Sequence, residues 1–464
     1  MQWSTRRFFW LLGLITAAGL AIRLGYVIGV KWDQNLWGDP FTAHFMANGI
    51  ADGKGFLTWV PKSFSRPDAV ILSDPQDWHG VVSVGPSATN RPIFPLYLSA
   101  FSVVGLRSHH AHMIANVMLG TGAVFVMGLV GRKIAGPRVG ILAALIAAVY
   151  GNFWVNDAVL TSESMAILLS AVVLLLAYRA WESPTLKRVL VVGALCGFSA
   201  LVRSEFLLLV PLLIIPLLVR RLAGRPIKER LGFLVAAGAV AALVMAPWLI
   251  RNFTIFENRV LLGADAGITL AATNCDETYY GASLGLWSAD CIIKYQPKGD
   301  PSERDAFWRK RAFDYVGDNL ERVPVVVAAR FGRMWELFHP GSPWGEIQPN
   351  QKIAYDITEG RSEMAARISL AQFYLLAPFA LTGGVILWRR KKTLAPLLAL
   401  PILVSFTAMY TFGNTRYRSI AEPALVVLGA IAVEVLIVRF WDQRRAHQKE
   451  SLSDPPHTEE LQPA

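Results

Sequence analysis

Apolar runs of roughly eighteen residues or more recur along the chain, and short gaps rich in Lys and Arg separate them. The pattern predicts an all-α polytopic membrane protein. Runs at approximately 8–30, 112–131, 139–155, 164–181, 189–203, 205–220, 231–250, 366–388, 393–411 and 421–440 give about ten spans. The fifth and sixth are short enough to be half-buried helices that meet at Arg203-Ser204-Glu205. Ile93 to Leu106 is shorter still and reads as a re-entrant or interfacial helix.

Basic residues set the orientation. Arg6-Arg7, Arg132-Lys133 with Arg138, Lys187-Arg188, the group from Arg220 to Arg230, Arg389 to Lys392, and Arg439 with Arg444-Arg445 all face the cytoplasm at once if the 93–106 run does not cross. Both termini are then inside. An N-terminal transmembrane module covers 1–250 and includes an outer loop, 31–111. A second outer segment covers 251–365, C-terminal helices cover 366–445, and the Pro- and Glu-bearing tail, 446–464, reads as disordered. The first run resembles a signal peptide, but its length, Arg23 and the lack of a small-x-small site predict an uncleaved anchor. Arg23 is expected to snorkel to the outer interface. In the second outer segment, Glu303 to Val323 has a helical pattern carrying Phe307, Trp308, Phe313 and Tyr315, and Pro324 starts another through Phe338. Both are expected along the membrane surface.

Composition changes this picture little. The chain is 53% hydrophobic and 17% charged, with a net charge of +11. In a soluble domain that balance would point to nucleic acid, but here topology accounts for the basic gaps, so no nucleic-acid partner is expected. Cys196 lies in an apolar run and reads as packing. Cys275 and Cys291 share a polar loop, and in an oxidising compartment a disulfide between them is the expected state. A Cys/His zinc site has no CxxC or HxxxH spacing to support it.

Polar groups at membrane depth are costly and therefore candidates for function. Four such groups fall at the outer rim: Asp39 with His44; Asn156, Asp157, Ser162 and Glu163; Arg203 with Glu205; and Asn414-Thr415-Arg416-Tyr417-Arg418 with Glu422-Pro423. A carboxylate there can take a hydroxyl proton, and the planar fork of Arg suits phosphate oxygens. Bland readings stand beside these. Asp39 before Pro40 can be a helix start, Glu163 a cap, Arg203 and Glu205 a local pair, and Arg416 and Arg418 interfacial anchors. His79, His109, His110 and His112 read as solvated loop residues.

Several short stretches together resemble the GT-C class of membrane glycosyltransferases, in particular bacterial relatives of the protein O-mannosyltransferases and the lipid A aminoarabinose transferase. They are Gly38-Asp39-Pro40 with Ala47 to Gly55, Arg91-Pro92-Ile93-Phe94-Pro95-Leu96-Tyr97, and Leu160-Thr161-Ser162-Glu163. Ala200-Leu201-Val202-Arg203-Ser204-Glu205 and Thr415-Arg416-Tyr417-Arg418 with Glu422-Pro423 complete the set, and the resemblance covers most of 8–440. It implies a GT-C-like fold with interfacial helices in the first outer loop. It also implies a sugar donor carried on polyprenyl phosphate, attack by an acceptor hydroxyl with inversion, and an active site outside the plasma (inner) membrane.

On that resemblance Asp39 is the base, and Glu163 orients acceptor or sugar. Arg416 and Arg418 hold the lipid phosphate, with Arg203 a further phosphate ligand. His44, Glu205 and Tyr417 are candidate substrate contacts. Partners would be the lipid-linked donor, membrane lipids, and an acceptor glycan, lipid or protein. The protein-mannosylating branch often pairs acids in its first loop, whereas Asp39 is followed by Pro40, so the sugar and acceptor stay open. The stretch Asn274 to Gly281 is unlike the lectin-type domain of the eukaryotic enzymes. Two or three acids at one rim can hold a divalent cation, but no ligand spacing demands one. The alternative is a transporter or flippase of a lipid-linked glycan. Against it stand the absence of an inverted repeat and the concentration of charge at one rim.

Overall fold

A computed structural model of the chain describes residues 4–33, 36, 38–61, 81–339 and 362–453. Helix α1 (Thr5–Tyr26) starts at Ser4, whose hydroxyl accepts from the Arg7 N–H at 3.1 Å, and it runs on as a π-helical turn, Val27–Lys31. Then come α2 (Gly38–Ala51) and an antiparallel hairpin of β1 (Leu57–Pro61) and β2 (Val81–Pro86). Next are α3 (Ile93–Val103), α4 (His109–Ala135), α5 (Pro137–Val149), α6 (Gly151–Trp154) and α7 (Glu163–Glu182). Helices α8 (Leu186–Ala200), α9 (Leu209–Arg220) and α10 (Ile227–Ile255) complete the N-terminal bundle.

Then come α11 (Ala266–Thr273), α12 (Asp276–Tyr279), α13 (Pro301–Asp318) and α14 (Val323–Met334). The chain closes with α15 (Glu363–Arg389), α16 (Ala395–Tyr410), the single turn α17 (Thr415–Arg418) and α18 (Glu422–Ser453).

All ten apolar runs are helical, but they are not ten full spans. Among the described residues six helices are long and apolar enough to cross a membrane: α1 with its π turn, α4, α7, α10, α15 and α18. Helices α5 and α6 add a seventh as a pair bent by 61°. At 15, 12 and 16 residues, α8, α9 and α16 are shorter than a bilayer crossing requires. Ile93–Val103 is the short helix expected there.

Without a hydrophobic drive between helices in lipid, close backbone approach holds the bundle together. Gly193 and Gly197 on α8 face Ala237 and Ala241 on α10, and a Cβ on either glycine would strike the facing carbonyl oxygen. Arg23 departs from its expected place. Its side chain is 0% exposed, pairs with Asp157 at 2.6 Å, and donates to the carbonyl oxygens of Gly19, Ala147 and Ala148. A buried carboxylate offered it a partner, so it has no need to reach for water.

The hairpin is absent from the helical reading. Its strands are short and lie about twenty residues apart, with no two-residue turn signal between them. Trp59 anchors it by packing on Met46 of α2 and Val81. Helix α13 begins at a capping box, with Asp300 accepting from the Glu303 N–H at 2.8 Å. Its Trp308 is buried with Leu270 and Ala271 of α11, so this face seats on protein rather than on lipid headgroups. Helix α18 runs on through Ser453, past residue 446 where a disordered tail was expected. His79 and residues 454–464 lie outside the described residues.

Candidate active site

The site depends on a sharp break between α6 and α7. Asn116 of α4 points its amide nitrogen at the carbonyl oxygens of Asn156, Asp157 and Val159, at 3.1, 3.2 and 2.8 Å. These bonds satisfy a buried stretch of non-helical backbone and fix where α7 starts. Gly120 makes room beside it, since a Cβ there would overlap the Asp157 carboxylate. Helix α7 therefore opens with Glu163, buried at the same end of the bundle as α2 and α17.

Glu163 is the hub of a charge cluster. Its Oε1 accepts from Arg416 Nε at 2.8 Å and from Arg203 Nη1 at 2.9 Å. Arg416 reaches on with Nη2 to Asp39 Oδ2 at 3.1 Å, and Arg203 uses Nε on Glu205 at 2.7 Å. Signs alternate from Asp39 through Arg416, Glu163 and Arg203 to Glu205. Exposure falls inward, from 63% at the Asp39 side chain through 25% at Arg416 to 0% at Glu163. A carboxylate this deep is tolerable because two guanidinium groups bond to it directly. Asp39 stands in the first turn of α2, where an acid also suits the helix dipole.

The remaining candidates divide. Glu205 and Tyr417 belong to the cluster, with Arg203 over the Tyr417 ring at 5.3 Å. Burial pushes the Tyr417 phenol up to about 12, so it stays protonated and can donate. Arg418 is elsewhere: it is buried, pairs with Glu422 at 2.7 Å, donates to the Met334 carbonyl oxygen, and lies 3.7 Å from the Phe373 ring centroid. Glu422 also accepts from Tyr150 and Asn152, so this group ties α18 to the α5–α6 break. One turn of α17 sends neighbouring arginines to different neighbours, and only Arg416 joins the cluster.

His44 is buried, with both ring nitrogens engaged by His112 and Asn48 rather than open to a ligand. His112 is fully buried as well, against the solvated reading, while His109 and His110 open α4. Asp157 serves Arg23.

Two cluster neighbours were not among the expected site residues. Arg91 donates to Ser204 Oγ at 2.9 Å and to Asp265 Oδ2 at 2.6 Å, joining the turn before α3, the 203–205 turn and the start of α11. Arg91 stood inside a quoted stretch but carried no assigned role. Asp265 sits in a Gly- and Ala-rich stretch with no signal beyond its position just before α11.

Cys275 and Cys291 are joined in a disulfide, with Cα atoms 5.9 Å apart. The loop they close touches the strand of chain that carries Arg416: the Gly413 N–H donates to the Gly285 carbonyl oxygen at 2.9 Å. From below, Arg330 donates to the carbonyl oxygens of Thr273 and Met409, at the ends of α11 and α16. Its charge thereby meets two helix C-termini. As for a metal, the acids Asp39 and Glu163 both bond to Arg416. Among the described residues no group of three or more His, Cys, Asp or Glu side chains gathers to hold one.

The fold is shared with solved membrane oligosaccharyltransferases. Residues 90–250, about a third of the chain, match the family model described as dolichyl-phosphate-mannose-protein mannosyltransferase. That segment contains Arg91, Glu163, Arg203 and Glu205. The apo oligosaccharyltransferase of Archaeoglobus fulgidus is similar at 14% identity and a TM-score of 0.53, over 96% of this chain and 52% of that one. The oligosaccharyltransferase AglB of the same organism, in complex with an inhibitory peptide and a dolichol-phosphate, is similar at 16% identity and a TM-score of 0.52, over 96% and 52%. ArnT from Cupriavidus metallidurans bound to undecaprenyl phosphate aligns at 12% identity and a TM-score of 0.39, over 90% and 77%. The chain spans about half the length of the oligosaccharyltransferases it matches. No curated protein matches it.

Proposed function

We propose that the protein is a glycosyltransferase that moves a hexosyl or pentosyl group from a polyprenyl-phosphate donor to an acceptor hydroxyl, with inversion at the anomeric carbon. The observation that carries this reading is Arg416, which bonds at once to the exposed Asp39 and the buried Glu163. In a polytopic GT-C fold this brings a proton acceptor and a phosphate-seeking cation to one rim. The family model over 90–250 and the dolichol-phosphate bound in the AglB complex support a lipid-linked phosphate donor.

The acceptor oxygen attacks the anomeric carbon as the bond from that carbon to the phosphate oxygen breaks. The acceptor proton passes to an Asp39 carboxylate oxygen, and the electron pair of the broken bond stays on the departing polyprenyl phosphate. Arg416, with Arg203 behind it, meets the growing charge on that phosphate. Glu163 holds both guanidinium groups in position and does not itself touch substrate. Glu205 and Tyr417 border the donor sugar. Asp39 provides the base because it is the cluster's outermost carboxylate.

The acceptor, whether glycan, lipid or protein, comes from the extracytoplasmic side of the plasma membrane. The disulfide supports that side, since its loop contacts the segment bearing Arg416 and disulfides persist in oxidising compartments. The test is direct: purified protein in nanodiscs is given a panel of polyprenyl-phosphate sugars with envelope glycolipids, glycans and peptides. Formation of a glycosidic bond to one acceptor, lost in Asp39→Asn, is the expected result. Movement of the lipid-linked sugar across the membrane of sealed proteoliposomes, with no bond formed, would establish the transporter instead.

A further inference from the structure

Away from the charge cluster, four buried side chains tie α2 to α3 and α4, and their protons can be assigned one by one. Asn48 Nδ2 donates to the Arg107 carbonyl oxygen at 3.1 Å, which fixes the orientation of the amide. Asn48 Oδ1 can then only accept, and the Ser102 hydroxyl donates to it at 2.8 Å. With its proton committed, Ser102 Oγ accepts from His112 Nε2–H at 2.9 Å. A neutral His112 protonated at Nε2 presents a bare Nδ1, and His44 Nδ1 lies 3.0 Å from it. His44 therefore donates from Nδ1, and its bare Nε2 accepts from Asn48 Nδ2 at 3.3 Å. The circuit closes, with one proton on each imidazole.

A closed ring of this kind has no site for another proton. The only bare nitrogens, His112 Nδ1 and His44 Nε2, each already receive a hydrogen bond. Protonating either would set N–H against N–H. The surrounding groups offer no relief. On α4, His109 meets the His44 ring edge-on at 6.4 Å between centroids, and His110 stacks on Trp32. On α3, Tyr97 donates to the Ala115 carbonyl oxygen, and beside the ring Arg107 pairs with Asp52 at 2.7 Å. From the hairpin, α2 meets Trp59, which does not titrate. Asp39 lies five residues earlier on α2 itself and pairs with Arg416. Burial, then the neighbouring His112 and His109, push the His44 imidazole down to about 3.

An apolar contact would hold these helices together without such exact proton bookkeeping. What a polar ring adds is orientation, because each member accepts only one geometry. The oriented element is α2, and its first turn bears Asp39. Packing on α3 and Trp59 fixes the other faces of α2, so the ring sets its pose relative to α4. Helix α4 in turn packs on α7, which carries Glu163.

We propose that Asn48, His44, His112 and Ser102 form a neutral-imidazole latch that positions Asp39 against Arg416, and that one added proton opens it. The catalytic consequence rests on Asp39 being the base. The latch itself does not.

Selective 15N-histidine labelling of the whole protein in nanodiscs, followed by NMR from about pH 8 to about pH 5, reads each imidazole directly. His44 protonated at Nδ1 and His112 at Nε2, both neutral across that range, is the expected result. Ser102→Ala removes one acceptor and one donor without adding volume. It is expected to speed hydrogen exchange of the α2 backbone amides about tenfold. It should also move the acid limb of kcat to higher pH while the donor KM stays within about twofold. An imidazolium at either position near neutral pH overturns the latch, as does a Ser102→Ala protein with unchanged exchange and an unchanged pH profile. Failure of the wild-type protein to transfer any sugar would overturn the proposed function alone, because exchange and NMR judge the ring without it.

Discussion

The guanidinium of Arg416 meets the carboxylate of Asp39 at 3.1 Å across 377 positions of sequence. This contact joins the first turn of α2 to the turn before the last helix, and it gives Asp39 a fixed place in the cluster. Asp39→Asn keeps the shape and removes the proton acceptor. It is expected to lower kcat by about 10²–10⁴ with expression and membrane insertion unchanged. Transfer assays on wild-type and variant protein in nanodiscs check it, and undiminished turnover would remove Asp39 from the mechanism.

Arg416 and Arg418 sit two residues apart and should respond to the same substitution in opposite ways. Arg416→Met removes a partly buried cation from the cluster, and turnover should fall by about 10²–10³ with little change in thermal stability. Arg418→Met leaves Glu422 buried without its cation, which costs about 3–5 kcal/mol and should show as a lowered Tm. Paired melting curves and rate measurements separate the two.

Arg23 and Asp157 form a fully buried pair between α1 and the α6–α7 break. Removing only one charge, as in Arg23→Met, should cost about 3–5 kcal/mol, because a lone carboxylate is left inside. Removing both with Arg23→Met and Asp157→Leu should recover much of that loss. A double-mutant cycle by thermal denaturation checks this. Equal loss in the single and double variants would show that the pair contributes nothing through its charges.

The disulfide between Cys275 and Cys291, 16 positions apart, closes a loop whose Leu284 carbonyl oxygen accepts from Arg333. Replacing both cysteines with Ser should destabilise the outer segment by about 3 kcal/mol. Limited proteolysis should then cut between 275 and 291 faster than in the wild type.

The histidine ring also sets a direction for stability against pH. Burial holds the folded His44 at about 3, below its ordinary 6.5. Above pH 6.5 neither folded nor unfolded state carries this proton, so the docking of α2 is at full strength. As pH falls from 6.5 toward 3, the undocked state takes the proton first and docking weakens. Exchange of α2 amides, corrected for intrinsic rates, should rise through that window. A flat profile would mean His44 titrates as an ordinary surface histidine.

Apolar periodicity alone located every long helix, because a span must satisfy its own backbone and so writes a long, simple signal. It could not distinguish a full crossing from the short α8, α9 and α16, since length near the threshold leaves the choice to packing. The rim acids and arginines were visible as costly residues, and Asp39, Glu163, Arg203, Glu205, Arg416 and Tyr417 do converge. What a single chain of letters hides is which cation serves which carboxylate. Arg23 turned inward to Asp157, Arg418 to Glu422, and His44 to His112, each because a buried partner outweighed the route to solvent. The Arg91–Asp265 pair joins residues 174 positions apart and left no local trace.

The cluster at Asp39, Glu163, Arg203 and Arg416 draws on segments strung from one end of the polypeptide to the other. During synthesis, the ribosome releases the last of these only after nearly all the earlier helices have entered the bilayer. A nascent chain therefore has no assembled charge ladder until its last helices are threaded home.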